Sequence, residues 1–268
     1  MTAWGNLVKK ELRLGIPAFL MPVIAFIALC LIGLFFGNRY DIMWEPLIGI
    51  TILATGLQIF YLAYYMLYSL QAEKKKLHLW LHNPLPSYGL LTAKLVAGAA
   101  SMIVTTILVV TVGFIALTNS PVWADVSEFI TVAQLLELGF YGGIALFLMA
   151  LSISVWIMFF WVIFLRLSSI MHGFLSFIVT GLSALALGAF VGWFSSTRFH
   201  ETLTQWGKIE LGNMLQSIDF ETSLEGGTEV TTGYDVFSFY TGTVVYDTMF
   251  AIVLFFLACW ILDRKIEV

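Results

Sequence analysis

Charge is scarce in this sequence. Asp, Glu, Lys and Arg make up 11% of its 268 residues, 60% are hydrophobic, and the mean hydropathy is +0.92. Soluble domains carry about 25% charged residues, so an ordinary water-soluble globule is excluded and the bilayer becomes the solvent to reason with. Cysteine is scarcer still. Cys30 and Cys259 each lie in an apolar run, which excludes a disulfide framework and a Cys-based metal site and leaves small packing residues. No Gly-x-x-x-x-Gly-Lys-Ser/Thr occurs, so the chain encodes no phosphate-cradling loop. His-Glu-x-x-His and paired Asp are missing from the apolar runs, and the His residues lie at or beyond the membrane edges, which leaves no Ser/His pair within a span and argues against an intramembrane enzyme. No cofactor of its own, no metal and no nucleic-acid partner is expected.

What is present is a series of long apolar runs, at roughly 16–36, 46–70, 89–117, 136–165, 170–194 and 243–262. A helix rising about 1.5 Å per residue needs about 20 residues to cross a hydrocarbon core. Backbone groups in lipid must be satisfied within the segment, and the strict alternation of a barrel strand is absent. The expected fold is one all-α membrane domain with six transmembrane helices. The first run is too long for a signal-peptide core of about 7–15 residues and is read as span 1. Runs three and four exceed the length of a straight span, which implies tilt, extension beyond the bilayer or a break. Ala93/Ala97/Ser101, Gly139/Gly143 and Gly188/Gly192 have spacings that let helices approach closely, and they are read as packing.

Six spans put both termini on one side, together with the 2–3 and 4–5 connections. That side holds Lys9, Lys10, Arg13, Lys74, Lys75, Lys76, Lys94, Arg166, Arg264 and Lys265, ten of the thirteen basic residues. By the positive-inside rule it is the cytoplasmic side. Arg166 and His172 flank the short 4–5 turn, where orientation is the plain reading.

Before span 1, Trp4, Leu7, Val8, Glu11 and Leu12 recur at helical spacing opposite a basic face of Lys9, Lys10 and Arg13. This pattern predicts an interfacial helix, with Trp4 at the headgroup boundary and the basic residues towards anionic lipid. Between spans 2 and 3 lies Glu73-Lys-Lys-Lys-Leu-His-Leu-Trp-Leu-His-Asn-Pro-Leu-Pro-Ser87, whose first half predicts a short helix ended by Asn83-Pro84 and Pro86. His78 and His82 have the i,i+4 spacing of a metal pair, but no third ligand stands nearby.

Glu73 and Lys74, then Leu77, Leu79 and Leu81, then Pro84-Leu85-Pro86-Ser87, then Lys94 at the start of span 3 form an ordered series. It resembles the pattern of the ABC-2 type permeases, the membrane subunits of ATP-binding-cassette exporters, with Lys75-Lys76 standing where that family carries Gly-Thr. The interfacial helix, the six spans and the long segment before span 6 match as well. The resemblance implies that 74–82 is a coupling helix docking on an ATPase subunit through Lys74, Lys75, Lys76, His78, Trp80 and His82, with Glu73 as hinge or partner charge. It also implies two ATPase subunits that bind ATP and Mg, a second copy of this chain or a homologous permease, and a place in the plasma membrane of a bacterial cell. A second ATPase contact at Arg166 and His172 fits the same scheme.

The segment 195–242 is expected outside the cell, as a lid, a partly re-entrant element or a plain loop. Trp206, Ile209, Leu211, Met214, Leu215 and Ile218 suggest an amphipathic helical piece there, with a turn at Gly226-Gly227. Gln58, Tyr61 and Tyr65 in span 2, Glu137 at the start of span 4 and Asp247 at the start of span 6 are candidates for a substrate path, since polar groups within a bilayer are expensive. Interhelical hydrogen bonding and interfacial placement are the plainer readings. The function expected is export of hydrophobic or amphipathic cargo, such as peptides or lipophilic drugs. A non-transporting sensor or immunity protein on the same scaffold is the alternative.

Overall fold

A computed structural model describes residues 3–74, 86–210 and 238–265. The chain runs α1 (Ala3–Leu14), α2 (Ile16–Arg39), α3 (Glu45–Lys74), α4 (Ser87–Asn119), α5 (Val122–Phe129), α6 (Val132–Ser168), α7 (Gly173–Ser195), α8 (Arg198–Thr204), β1 (Lys208–Glu210), β2 (Ser238–Tyr240) and α9 (Thr241–Lys265). Six of these, α2, α3, α4, α6, α7 and α9, are long and apolar enough to cross a membrane. The long third and fourth runs contain no break: α4 and α6 are continuous over 33 and 37 residues. At 1.5 Å per residue, α6 is about 55 Å long and must tilt in a bilayer or project from it.

Local chemistry sets the boundaries. α6 starts four residues before its predicted run because Thr131 and Gln134 form a capping box, each side chain satisfying the other's backbone N–H. α7 starts three residues after its predicted run, since residues 170–172 belong to the turn from α6. Pro17 occupies the first turn of α2, where its missing N–H would be unpaired anyway, whereas Pro22 lies inside that helix.

Helix α3 is the hub, packed on α4, α6 and α2, while α9 packs on α6. Ala93, Ala97 and Ser101 of α4 are buried, as expected of small packing residues. The other two small-residue pairs differ: a side chain added at Gly139, Gly143, Gly188 or Gly192 would meet nothing within 4 Å. The main core gathers Leu7 of α1, Leu70 of α3, Leu90 of α4, Leu165 of α6 and Leu262 of α9. These residues come from the first and last described helices, from both sides of the 75–85 connection and from the end of α6. Both chain ends therefore lie at one end of the bundle. The Ser87 hydroxyl, at the start of α4, donates to Asp263 near the end of α9.

At the opposite end, Trp206 and Ile209 do not belong to the expected amphipathic helix: the chain leaves α8 through a turn and a strand. Leu211, Met214, Leu215, Ile218 and the Gly226-Gly227 turn lie outside the described residues. Gly207 takes a positive φ of 65°, a conformation glycine adopts without strain. It turns the chain into β1, which pairs antiparallel with β2 in the register Lys208–Tyr240, Ile209–Phe239, Glu210–Ser238. This three-residue ladder is an addition to the all-α reading. It leads into α9, whose first two backbone N–H groups donate to Gly207 and Trp206 carbonyls.

Candidate functional site

Helix α1 turns one face inward, and that face carries an acid. Leu7 and Glu11 are buried while Trp4, Lys9, Lys10, Leu12 and Arg13 are exposed. The Glu11 carboxylate meets Lys94, two turns into α4, with Nζ 2.7 Å from Oε2. The same ammonium lies 2.8 Å from Ser69 Oγ and 3.0 Å from Glu73 Oε2, both on the last turns of α3. Ser69 in turn donates to Glu11 Oε2 at 3.0 Å, closing a ring of three side chains from three helices. At the rim, Lys10 donates to Glu73 Oε1 at 2.8 Å, with its own side chain 56% exposed.

Lys94 is wholly enclosed, and Glu11 and Glu73 are 1% and 8% exposed. An ammonium in such a place needs its protons engaged: Glu11 and Ser69 accept hydrogen bonds from it, and Glu73 stands at ion-pair distance. Two buried acids against one buried base leave one negative charge uncompensated, which Lys10 offsets from the rim. Glu11 Oε1 is buried without a hydrogen bond, and Glu73 Oε2 sits at ion-pair distance but off the hydrogen-bond axis.

A second lock lies one turn deeper. Tyr65 is fully buried and its hydroxyl donates to the Glu11 carbonyl at 3.2 Å. The ring fits only because Gly15, at the α1–α2 joint, and Gly98 of α4 lack side chains: a Cβ at Gly15 would collide with the phenol, and one at Gly98 would stand 2.9 Å from Tyr65 Cδ1. The joint between α1 and α2 is thereby keyed to α3.

Further along α2, α3 and α4 an apolar groove of about 270 Å³ opens sideways at mid-span, lined by residues that include Pro22, Phe26, Leu53, Leu57, Gln58 and Tyr61. Its polar atoms are few. Gln58 Oε1 lies 3.4 Å from the Thr105 hydroxyl, which is also 2.9 Å from the Met102 carbonyl, and the Tyr61 hydroxyl is buried without a hydrogen-bond partner.

No family model, curated protein or solved structure matches this chain.

The sequence-derived candidates separate into distinct places. Gln58 and Tyr61 line the groove; Tyr65 does not, being sealed in the glycine notch. Glu137 and Asp247 are exposed near the starts of α6 and α9 and line no part of it. Glu73 pairs with Lys94 and Lys10, and Lys74 ends α3. Lys75, Lys76, His78, Trp80 and His82 lie outside the described residues. No group of three His, Cys, Asp or Glu suited to a metal is found among the described residues.

The central roles of Glu11 and Ser69 were not visible in the sequence. One signal was available for Glu11: an acid at a position that helical spacing assigns to an otherwise apolar face. Sequence reasoning also missed an aromatic run at the other end. There His200 of α8 meets Tyr246 of α9 edge-on at 4.9 Å, and Tyr246 stacks between Phe194 and Phe250. Phe250 continues to Trp156 and Phe160 of α6.

Proposed function

We propose that this chain is the permease subunit of an ATP-driven exporter, with both termini on the cytoplasmic side of the plasma membrane. The observation that carries the reading is the join of Glu73 to Lys94. These residues stand just before and just after the 75–85 connection, so a push on that connection from below reaches α3 and α4 as one body rather than flexing a free loop. Glu11 adds α1 to the same body through Lys94 and Ser69. In this reading α1 is the interfacial helix, residues 74–82 are the coupling helix, and hydrolysis belongs to two partner ATPase subunits that bind ATP and Mg. A second copy of the chain or a homologous permease completes the path.

The groove between α2, α3 and α4 supports hydrophobic or amphipathic cargo. Its volume of about 270 Å³ is just below the range of about 300–1,000 Å³ of ligand pockets, and its lining is almost wholly apolar. A single chain or a slim lipophilic molecule suits it.

The reading is tested by co-purifying the protein with a candidate ATPase, reconstituting both, and replacing residues 74–82 with a Gly/Ser linker. Stimulated ATPase activity that disappears on replacement supports it; failure to bind any ATPase overturns it. Binding without vectorial movement of cargo moves the assignment to a sensor on the same scaffold.

A further inference from the structure

The structure divides α1 into three faces where the sequence pattern suggested two. Leu7 and Glu11 face the bundle. Trp4 and Leu12 form a flank that stays 39% and 38% exposed, with half-buried Val8 between them. Lys9 and Arg13, four residues apart and so one above the other on a helix, make an exposed basic edge beside Leu12. Lys10, the third base of the helix, points elsewhere and is engaged by Glu73. Among the side-chain contacts of the described residues, neither Lys9 nor Arg13 makes an ion pair with an acid.

An aromatic and an aliphatic side chain left in contact with the surroundings, next to two cations, match a bilayer edge that is apolar below and anionic above. We propose that the Trp4–Lys9–Leu12–Arg13 face of α1 is a binding surface for anionic phospholipid. Trp4 and Leu12 enter the acyl boundary, and Lys9 and Arg13 hold the phosphate groups. The proposal rests on the reading of α1 as an interfacial helix at the cytoplasmic surface, and not on the ATPase partner or on any cargo.

The placement has a consequence for the ion-pair cluster. The helix that holds lipid on one face holds Lys94 through Glu11 on another, so a lipid-bound α1 has less freedom to roll and break the buried pair. Anionic lipid that binds only the docked helix therefore stabilises the folded bundle by mass action.

The test places photo-leucine, a near-isostere, at Leu12 of the full chain in vesicles of phosphatidylcholine with about one-third phosphatidylglycerol, and reads cross-linked lipids by mass spectrometry. A basic residue near an anionic surface favours association by roughly fivefold. The expected result is a phosphatidylglycerol share of adducts several-fold above its mole fraction, falling to the mole fraction in Lys9→Gln/Arg13→Gln and in molar salt, where screening extends only about 3 Å. The charge-keeping variant Lys9→Arg/Arg13→Lys should retain the excess. In parallel, the unfolding temperature of the wild type should rise with phosphatidylglycerol, and that of the Gln variant should not. Adducts of both lipids in proportion to their abundance would leave α1 interfacial but overturn the anionic surface. An excess that survives in the Gln variant would overturn the role of Lys9 and Arg13. Absence of any lipid adduct would overturn the interfacial reading and the proposal together.

Discussion

Glu11 and Lys94 stand 83 positions apart in the chain and 2.7 Å apart in the fold. Neither side chain reaches solvent, so removing one leaves the other as an unpaired charge in a low-dielectric place. Breaking a buried pair in this way costs about 3–5 kcal/mol. Lys94→Met is therefore expected to lower stability by that order. Lys10→Met, at the exposed rim, should cost less than about 1 kcal/mol. Cys259 is buried while Cys30 is only partly so, so in a Cys30→Ser background a thiol-reactive dye reports unfolding in nanodiscs. Equal losses in the two variants would mean that Lys94 is not the centre of the cluster.

The double variant Glu11→Leu/Lys94→Met separates structure from coupling. Replacing both ends of a buried pair by apolar groups is often neutral or stabilising, and Glu73 keeps its partner Lys10. The bundle should recover most of the stability lost in Lys94→Met. In the proposed reading ATPase stimulation should be lost, because α1 and α4 no longer share a charge. Recovery of stimulation along with stability would reduce the cluster to a packing device.

Much of this arrangement could be read in the sequence because hydropathy is local. Every apolar run reappears as a helix, since each helix satisfies its own backbone and is recognised from its own residues. Lys94 could be seen as a lone base inside an apolar run, and Glu11 as an acid on an apolar face. Their pairing could not, because it depends on where α1 lies across α3 and α4. Tyr65 shows the same limit. Its depth suggested a path residue, but burial is decided by Gly15 and Gly98, one on the α1–α2 joint and one on another helix, and no periodicity within span 2 contains them. The strand at Lys208–Glu210 escaped because three residues are too few for any period to show, and Gly207 was the only local sign of a turn.

The glycines differ in what they permit. A Cβ at Gly98 would stand 2.7 Å from Leu62 Cδ1 and 2.9 Å from the Tyr65 ring, so Gly98→Ala overpacks a filled contact, at a cost of about 1–3 kcal/mol. At Gly139, with nothing within 4 Å, Gly139→Ala should be neutral or stabilising by up to about 1 kcal/mol through helix propensity. Thermal unfolding of each variant at low protein density in nanodiscs checks the pair. If Gly139→Ala leaves monomer unfolding unchanged but weakens self-association, the open glycine face of α6 is where a second copy packs.

The groove should be separable from the rest of the molecule by filling it. Ala54 and Leu57 both line it from α3, and Leu57 is 59% exposed at its lip, so bulk added there enters the open groove rather than packed protein. Ala54→Phe and Leu57→Trp are therefore expected to leave unfolding temperature and basal ATPase stimulation unchanged, because neither touches the Glu11–Lys94–Glu73 cluster. Binding of a slim lipophilic fluorescent probe should weaken by about tenfold, the equivalent of 1.4 kcal/mol of lost contact. A Gln58→Leu variant adds a finer test, since it removes the polar group facing Thr105 without filling the groove. It should spare a purely hydrocarbon probe and weaken one bearing a hydroxyl or carbonyl. Unchanged affinity for both probes in the filled variants would mean that lipid alone occupies the groove and that cargo takes another route.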